Sequence, residues 1–220
     1  IMYETSPFNP VSLYARSKIG SEKIIIDYME KRHIDATIVR FGTIYGFSGR
    51  TRFDLVINLL TAKAFVEKEI PLFGGDQWRP FVHVHDAAES LFLILQSSSE
   101  KVNNEIFNVG SNQQNFTLQE IAKKIKSILP DATIKDYGYQ EDRRNYKVNF
   151  DKISKSLNFE AKWSVEDGIN QIIDSFKHKE IKDYLNKEYN NFKYLSENRE
   201  IIKIINGWEI PLINETENKN

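Results

Sequence analysis

The chain has 220 residues, of which 40% are hydrophobic and 12% aromatic, and its net charge is −1 at pH 7. This content excludes a disordered chain and suffices for the core of one large domain or two small ones. The balanced charge gives no footing for nucleic acid or for a polybasic membrane contact. Without cysteine there is no disulfide framework and no thiolate-ligated zinc. No apolar run approaches the roughly 20 residues of a membrane span, and no signal peptide is visible, so the expected location is cytoplasmic. The opening "IMYETSPFNP" has no helix-start or targeting character and reads like the interior of a protein. A fragment or cut product is the expectation it raises.

In chain order, Pro10 and Ser12 precede an amphipathic run from Val11 to Lys31, which predicts a helix. "DATIVRF", Asp35 to Phe41, is a short apolar strand, and "GTIYGFSGR" reads as a glycine-rich loop. Phe53 to Phe65 is helical. A short strand, a GG turn, a strand ending near Val84 and a helix from about Asp86 follow, and then the strand "EIFNVG". Thr117 with Glu120 forms a capping box for a helix through Leu129, which Pro130 ends. "ATIKDY" is a strand. "DKISKSLNF" and "SVEDGINQIIDSFK" are helices, the second started by Ser164. The alternation indicates an α/β fold. From Ile181 the chain turns rich in Asn, Lys and Glu, with one more helix expected from Ile181 to Leu195 and disorder over the last residues. Asn214-Glu215-Thr216 matches a glycosylation sequon that carries no weight without secretory context.

Tyr14 and Lys18 stand at i and i+4 and share a helix face. An ammonium beside a phenol favours the phenolate, and a tyrosine so placed can exchange a proton with a sugar hydroxyl or ketone while a hydride moves. Spacing alone is weak support, since Tyr189 and Lys193 repeat it in the polar tail. His83 and His85 alternate along a strand with too few companions for a metal site, so no metal is expected.

Five segments strengthen the pair: "NPVSLYARSKIGSE", "IVRFGTIYG", "GGDQWRPFVHVHDAAESL", "EIFNVG" and "YKVNFDKISKSLNFEAKWSVEDGI". In this order and spacing, over roughly residues 4 to 177, the chain resembles the C-terminal part of the extended short-chain dehydrogenase/reductase family, the NAD-dependent epimerases and dehydratases of nucleotide sugars. The resemblance implies the last part of a Rossmann-like doubly wound sheet plus a small α/β substrate-binding part. Residues 1–46 and 78–110 would belong to the first, 47–77 and 111–178 to the second, and 179–220 to a C-terminal helix and polar tail.

It further implies that Tyr14 is the acid/base and that Lys18 holds the nicotinamide ribose. Tyr14, Lys18, Phe41 and Thr43 would touch the cofactor, NAD or NADP. Thr43, Asn58, Arg79, Arg143 and Arg144 would touch a nucleotide-diphosphate sugar. Thr43 stands where many relatives carry Asn, a departure at the sugar contact. Each assignment has a structural alternative: Asn58 bonding internally, Arg79 stacking on Trp78, Arg143 and Arg144 in a solvated loop. None of the ten glycines forms the fingerprint that cradles a dinucleotide pyrophosphate. The implied activity is nucleotide-sugar epimerisation through a keto intermediate. The alternatives are 4,6-dehydration and a non-catalytic nucleotide-sugar-binding remnant. A homodimer through the Tyr14 helix is implied by the same resemblance.

Overall fold

Residues 1–139 and 144–197 are described by the computed structural model. Helix α1 (Leu13–Arg32) begins where the Ser12 hydroxyl accepts the Ala15 amide at 3.1 Å, and it stops at His33, whose φ is +52°. Only Met29 of this helix is fully buried, whereas Leu13, Tyr14, Ile24, Ile25 and Tyr28 are exposed.

The chain then runs through β1 (Thr37–Phe41), crosses Gly42 and continues as β2 (Thr43–Tyr45). Next come α2 (Val56–Val66), β3 (Glu69–Leu72), β4 (Trp78–His83), α3 (Val84–Gln96), α4 (Ser99–Val102) and β5 (Glu105–Val109). They are followed by β6 (Asn115–Thr117), α5 (Leu118–Ile128), β7 (Thr133–Asp136), α6 (Asp151–Leu157), α7 (Val165–Lys177) and α8 (Asn191–Glu197).

β1 pairs parallel with β5, Thr37 opposite Glu105, and β3 pairs parallel with β7. β2 pairs parallel with β4, Thr43 opposite Phe81, and β6 closes that sheet antiparallel to β4. The extended run 37–45 thus serves two sheets. At the crossing, the Gly42 amide still bonds Val109 O at 2.9 Å, while a Cβ there would lie 3.3 Å from Pro80 O. Only a glycine permits so close a backbone approach without displacement.

The helices begin as their local signals require. Thr117 with Glu120, and Ser164 with Asp167, form complete capping boxes. One core joins Ile57, Ile70, Phe81, Ile121, Ile125 and Ile169, and a second joins Val82, Phe107, Val109, Ile153 and Leu157. Two expectations change. The loop after Gly42 contains β2, a strand too short to show a period in sequence. The helix expected from Ile181 to Leu195 is instead an irregular segment with a 3-10 turn at Lys187–Tyr189 before α8. There Ile181 and Tyr184 are buried beside Phe53, Ala62 and Ile172. Tertiary anchoring, not helical period, shapes that stretch. The sequon and the last residues lie outside the described residues.

His83 is fully buried on β4. Its Nδ1 accepts the His85 amide at 3.2 Å, so the ring proton sits on Nε2, 2.8 Å from Gln171 Oε1. Burial pushes its pKa below the ordinary histidine value. Gln171, Asp86 and Asp167 oppose that shift, and His85 adds to it. The neighbouring Asp86 carboxylate, also buried, accepts the Lys162 and Trp163 amides at 2.9 and 3.1 Å and so anchors the approach to α7. Because the folded protein resists protonating His83, the unfolded chain binds the extra proton once the pH falls below about 6.5. The stability present above that pH is therefore lost on acidification. Melting temperatures measured between pH 7.5 and 5 should fall more steeply for the wild type than for His83→Gln.

Candidate active site

Tyr14 and Lys18 occupy the first turns of α1, with the Lys18 ammonium 5.7 Å from the Tyr14 ring centroid. Tyr14 is 72% exposed. Phe41, at the carboxyl end of β1, is 37% exposed, and Thr43 follows it as the first residue of β2. Parallel pairing brings the carboxyl ends of β1 and β5 together, the edge at which open α/β sheets receive ligands.

The loop beyond β2 is held from several sides. Gly46 turns at φ +102°, and its amide donates to Asn58 Oδ1 at 2.9 Å. Asn58 Nδ2 donates to Arg52 O at 3.1 Å. The Asn58 amide is buried and spent on the loop backbone, which is the internal bonding that its sequence left open. Thr51 closes on Ser48 through its hydroxyl, at 3.0 and 3.1 Å. The C-terminal segment clamps the same loop. The Phe53 amide donates to Tyr189 O at 3.0 Å, and Arg50 Nε donates to Glu188 O at 3.0 Å. The Phe53 ring meets those of Phe176, Tyr184 and Tyr189.

Within this loop stands Arg52, which sequence reasoning missed. Its Nε and Nη2 donate to the two Asp54 oxygens at 2.9 and 2.8 Å. Those bonds hold the guanidinium above its usual pKa against the cost of burial, with further Coulomb support from Asp54 and from Tyr14. The partner of Arg52 is only two positions away, but an Arg-x-Asp pair in a loop forms no motif that marks it in the sequence.

Arg79 is buried at the start of β4 and donates through Nη1 to Trp78 O at 2.9 Å and to Arg144 O, and through Nη2 to Gln77 Oε1 at 2.9 Å. Arg79 and Arg144 are thus brought together, with the Arg144 side chain exposed. Arg143 lies outside the described residues. The cation over Trp78 is Lys147, 3.4 Å from the ring centroid, so the stacking expected as the alternative for Arg79 is supplied by another residue. Among the described residues no group of three His, Cys, Asp or Glu side chains is placed to hold a metal ion. A separate open groove of about 800 Å³ runs past Asn112, Gln113, Asp151, Lys162, Trp163 and Glu166, and touches none of the candidate residues above.

The model of the NAD dependent epimerase/dehydratase family matches residues 2–110. The chain belongs to this family. It is 28% identical over 168 residues to a UDP-glucuronate 4-epimerase of Thermodesulfobacterium geofontis, covering 74% of this chain and 50% of that protein. It is 25% identical over 185 residues to a dTDP-glucose 4,6-dehydratase of Shigella flexneri, covering 78% and 49%. The chain spans about half the length of these curated relatives. A dTDP-glucose 4,6-dehydratase of Bacillus anthracis, solved with NAD, superposes with a TM-score of 0.69 at 23% identity, over 86% of this chain and 58% of that one. The fold is the Rossmann-like α/β arrangement of these enzymes.

The clamp predicts a measurable effect. Asn58→Ala removes buried hydrogen bonds to the loop and leaves a backbone amide and carbonyl unsatisfied, at a cost of about 2 kcal/mol. Denaturant unfolding should show that loss, and limited proteolysis should cut faster between residues 46 and 54.

Proposed function

We propose that this chain supplies the proton-transfer and sugar-nucleotide side of an NAD- or NADP-dependent nucleotide-sugar epimerase. The observation that carries the proposal is the solvent-open Tyr14–Lys18 pair on the first turns of α1, in a chain of the NAD-dependent epimerase/dehydratase family.

In this reading the Tyr14 oxygen accepts the proton of a sugar ring hydroxyl and later returns it. The Lys18 ammonium stabilises the phenolate that accepts this proton and that reappears once the proton is returned. NAD, when bound beside Tyr14 and Lys18, would supply the hydride acceptor and donor for the sugar carbon whose hydroxyl Tyr14 deprotonates. The solvent-open surfaces of Tyr14 and Phe41, with Lys18 and Thr43 beside them, fit the nicotinamide–ribose end of such a cofactor. No glycine-rich fingerprint for its pyrophosphate occurs in the sequence, so the chain is expected to be inactive unless another polypeptide segment supplies one. Arg79 and Arg144 would meet the sugar-nucleotide diphosphate, for which guanidinium forks are suited, with Arg79 exchanging backbone carbonyls for phosphate oxygens. Asn58 would act through the loop that it pins. A second copy would pack on α1 through its exposed Leu13, Ile24 and Tyr28. No helix among the described residues is long and apolar enough to cross a membrane.

The likeness to the dTDP-glucose 4,6-dehydratase of Shigella flexneri supports a second reading, in which the same keto-sugar loses water before it is reduced. Both readings need Tyr14. In the complete native protein, Tyr14→Phe should lower turnover by about 100-fold or more, the scale of a lost general acid/base, while nucleotide-sugar affinity stays within a few-fold. Turnover retained by Tyr14→Phe would contradict both.

A further inference from the structure

The open groove of about 800 Å³ is walled by the loop after β5, by α6 and by the approach to α7, and Trp163 stands in that wall. The indole is fixed from two sides. The Trp163 amide donates to Asp86 Oδ2 at 3.1 Å, and the Trp163 carbonyl accepts Gln114 Nε2 at 2.7 Å. The ring stacks on His83, 4.6 Å between centroids and 11° between planes, and on His85, 5.1 Å and 24°.

Both imidazoles lie on the same face of the indole. On opposite faces they would stand about 7 Å apart, twice the contact separation of stacked carbons. Their centroids are 5.3 Å apart. Among the described residues no further ring and no cation covers the other face, and the indole N–H has no hydrogen-bond partner. A rigid aromatic face held this way loses little freedom on meeting a ligand.

The polar groups of the wall divide into engaged and unengaged. Asp151 is paired with Lys155 at 3.1 Å, and Glu166 with Lys124 at 2.5 Å. Asn112 bonds the Phe150 amide and Asp151, and Gln114 bonds Tyr45 and the Trp163 carbonyl. Among the described residues no hydrogen bond or ion pair engages Gln113 Nε2, the Ser154 hydroxyl, the Asn158 side-chain amide, the Glu160 carboxylate or the Lys162 ammonium.

The two charges left over are one of each sign, so the groove offers no net field to an anion such as a diphosphate, nor to a cation over the indole. An open aromatic face flanked by amide and hydroxyl groups suits a neutral polyhydroxylated molecule. The C–H face of a sugar ring packs on the indole, and its hydroxyls meet side chains that both donate and accept. A peptide held by its side chains would need apolar pockets, and Phe150, Phe159 and Val165 of this wall are buried.

We propose that this groove is a binding site for a neutral saccharide, with Trp163 as its stacking platform and Gln113, Ser154 and Asn158 as partners of its hydroxyls. The site is separate from the one that holds Tyr14 and Lys18, and it does not depend on the proposed reaction.

Chemical-shift titration of the isotopically labelled chain with maltose, cellobiose, lactose and diacetylchitobiose tests this, with UDP and triglycine as the charged and peptide probes. At least one of the sugars should move the Trp163 indole N–H together with amides of residues 111–114 and 158–164, while UDP and triglycine leave them in place. Trp163→Ala, shown by circular dichroism to be folded, should weaken that binding by about tenfold or more, the scale of a lost aromatic contact. No such shift with any of the sugars would overturn the proposal, and so would sugar binding that Trp163→Ala retains. Shifts caused by UDP or triglycine and not by the sugars would assign the groove to another class of ligand and overturn it as well. Should Trp163→Ala not fold, Asn158→Gly decides. Residue 158 turns at φ +54°, which glycine adopts freely, so the change removes the side-chain amide without straining the backbone. An affinity lowered by about threefold or more, the scale of a lost hydrogen bond, supports the proposal, and an unchanged affinity contradicts it.

Discussion

The closure around Gly46 is the constraint on which the site depends. Its backbone turns at φ +102°, a region costly for any residue with a side chain, and a Cβ there would lie 2.2 Å from His83 Nε2. The buried imidazole therefore reaches Gln171 on α7 only because residue 46 offers no side chain. Gly168 makes the reciprocal concession, since its Cβ would meet the Tyr45 ring at 2.5 Å. Tyr45 in turn donates its hydroxyl to Gln114 Oε1 at 2.7 Å. β2, β4 and α7 are locked together at one place, and the chain leaves it in a fixed direction as the loop bearing Arg52.

From that lock two consequences spread. Upstream, the run 37–45 ties the β1–β5 pair to the β2–β4 sheet, so the carboxyl end of β1 and the loop after β2 keep a set geometry. Downstream, the loop is too polar to pack by itself, and the segment after α7 supplies its apolar partners. Phe53 is enclosed by three aromatic rings, contacts worth roughly 0.5–1.5 kcal/mol each beyond their buried area. The Tyr184 hydroxyl bonds Glu67 at the end of α2, which fixes the segment that fixes the loop. The C-terminal stretch is thus part of the wall behind the candidate site.

Local signals were legible in the sequence, and long-range ones were not. The boxes at Thr117 and Ser164 involve residues three apart and read directly, as does the i, i+4 placement of Tyr14 and Lys18. β2 and β6 were missed because three residues cannot display a period. The segment after Ile181 was misread because its order comes from Ile181 and Tyr184 docking on Phe53, inside a stretch whose composition is polar. Arg79, Arg144 and Asn58 were singled out by family resemblance. Asp86 and Lys147 act through partners 76 and 69 positions away, and no local pattern marks them.

The proposed nucleotide-sugar site is the one that holds Tyr14 and Lys18, and not the groove between Asn112 and Glu166. The most direct measurement is an amide chemical-shift map of the isotopically labelled chain during titration with UDP-glucuronate. The account predicts that the perturbed amides cluster at residues 14–18, 43–54, 79 and 144. Perturbations confined to residues 110–116 and 158–166 would contradict it.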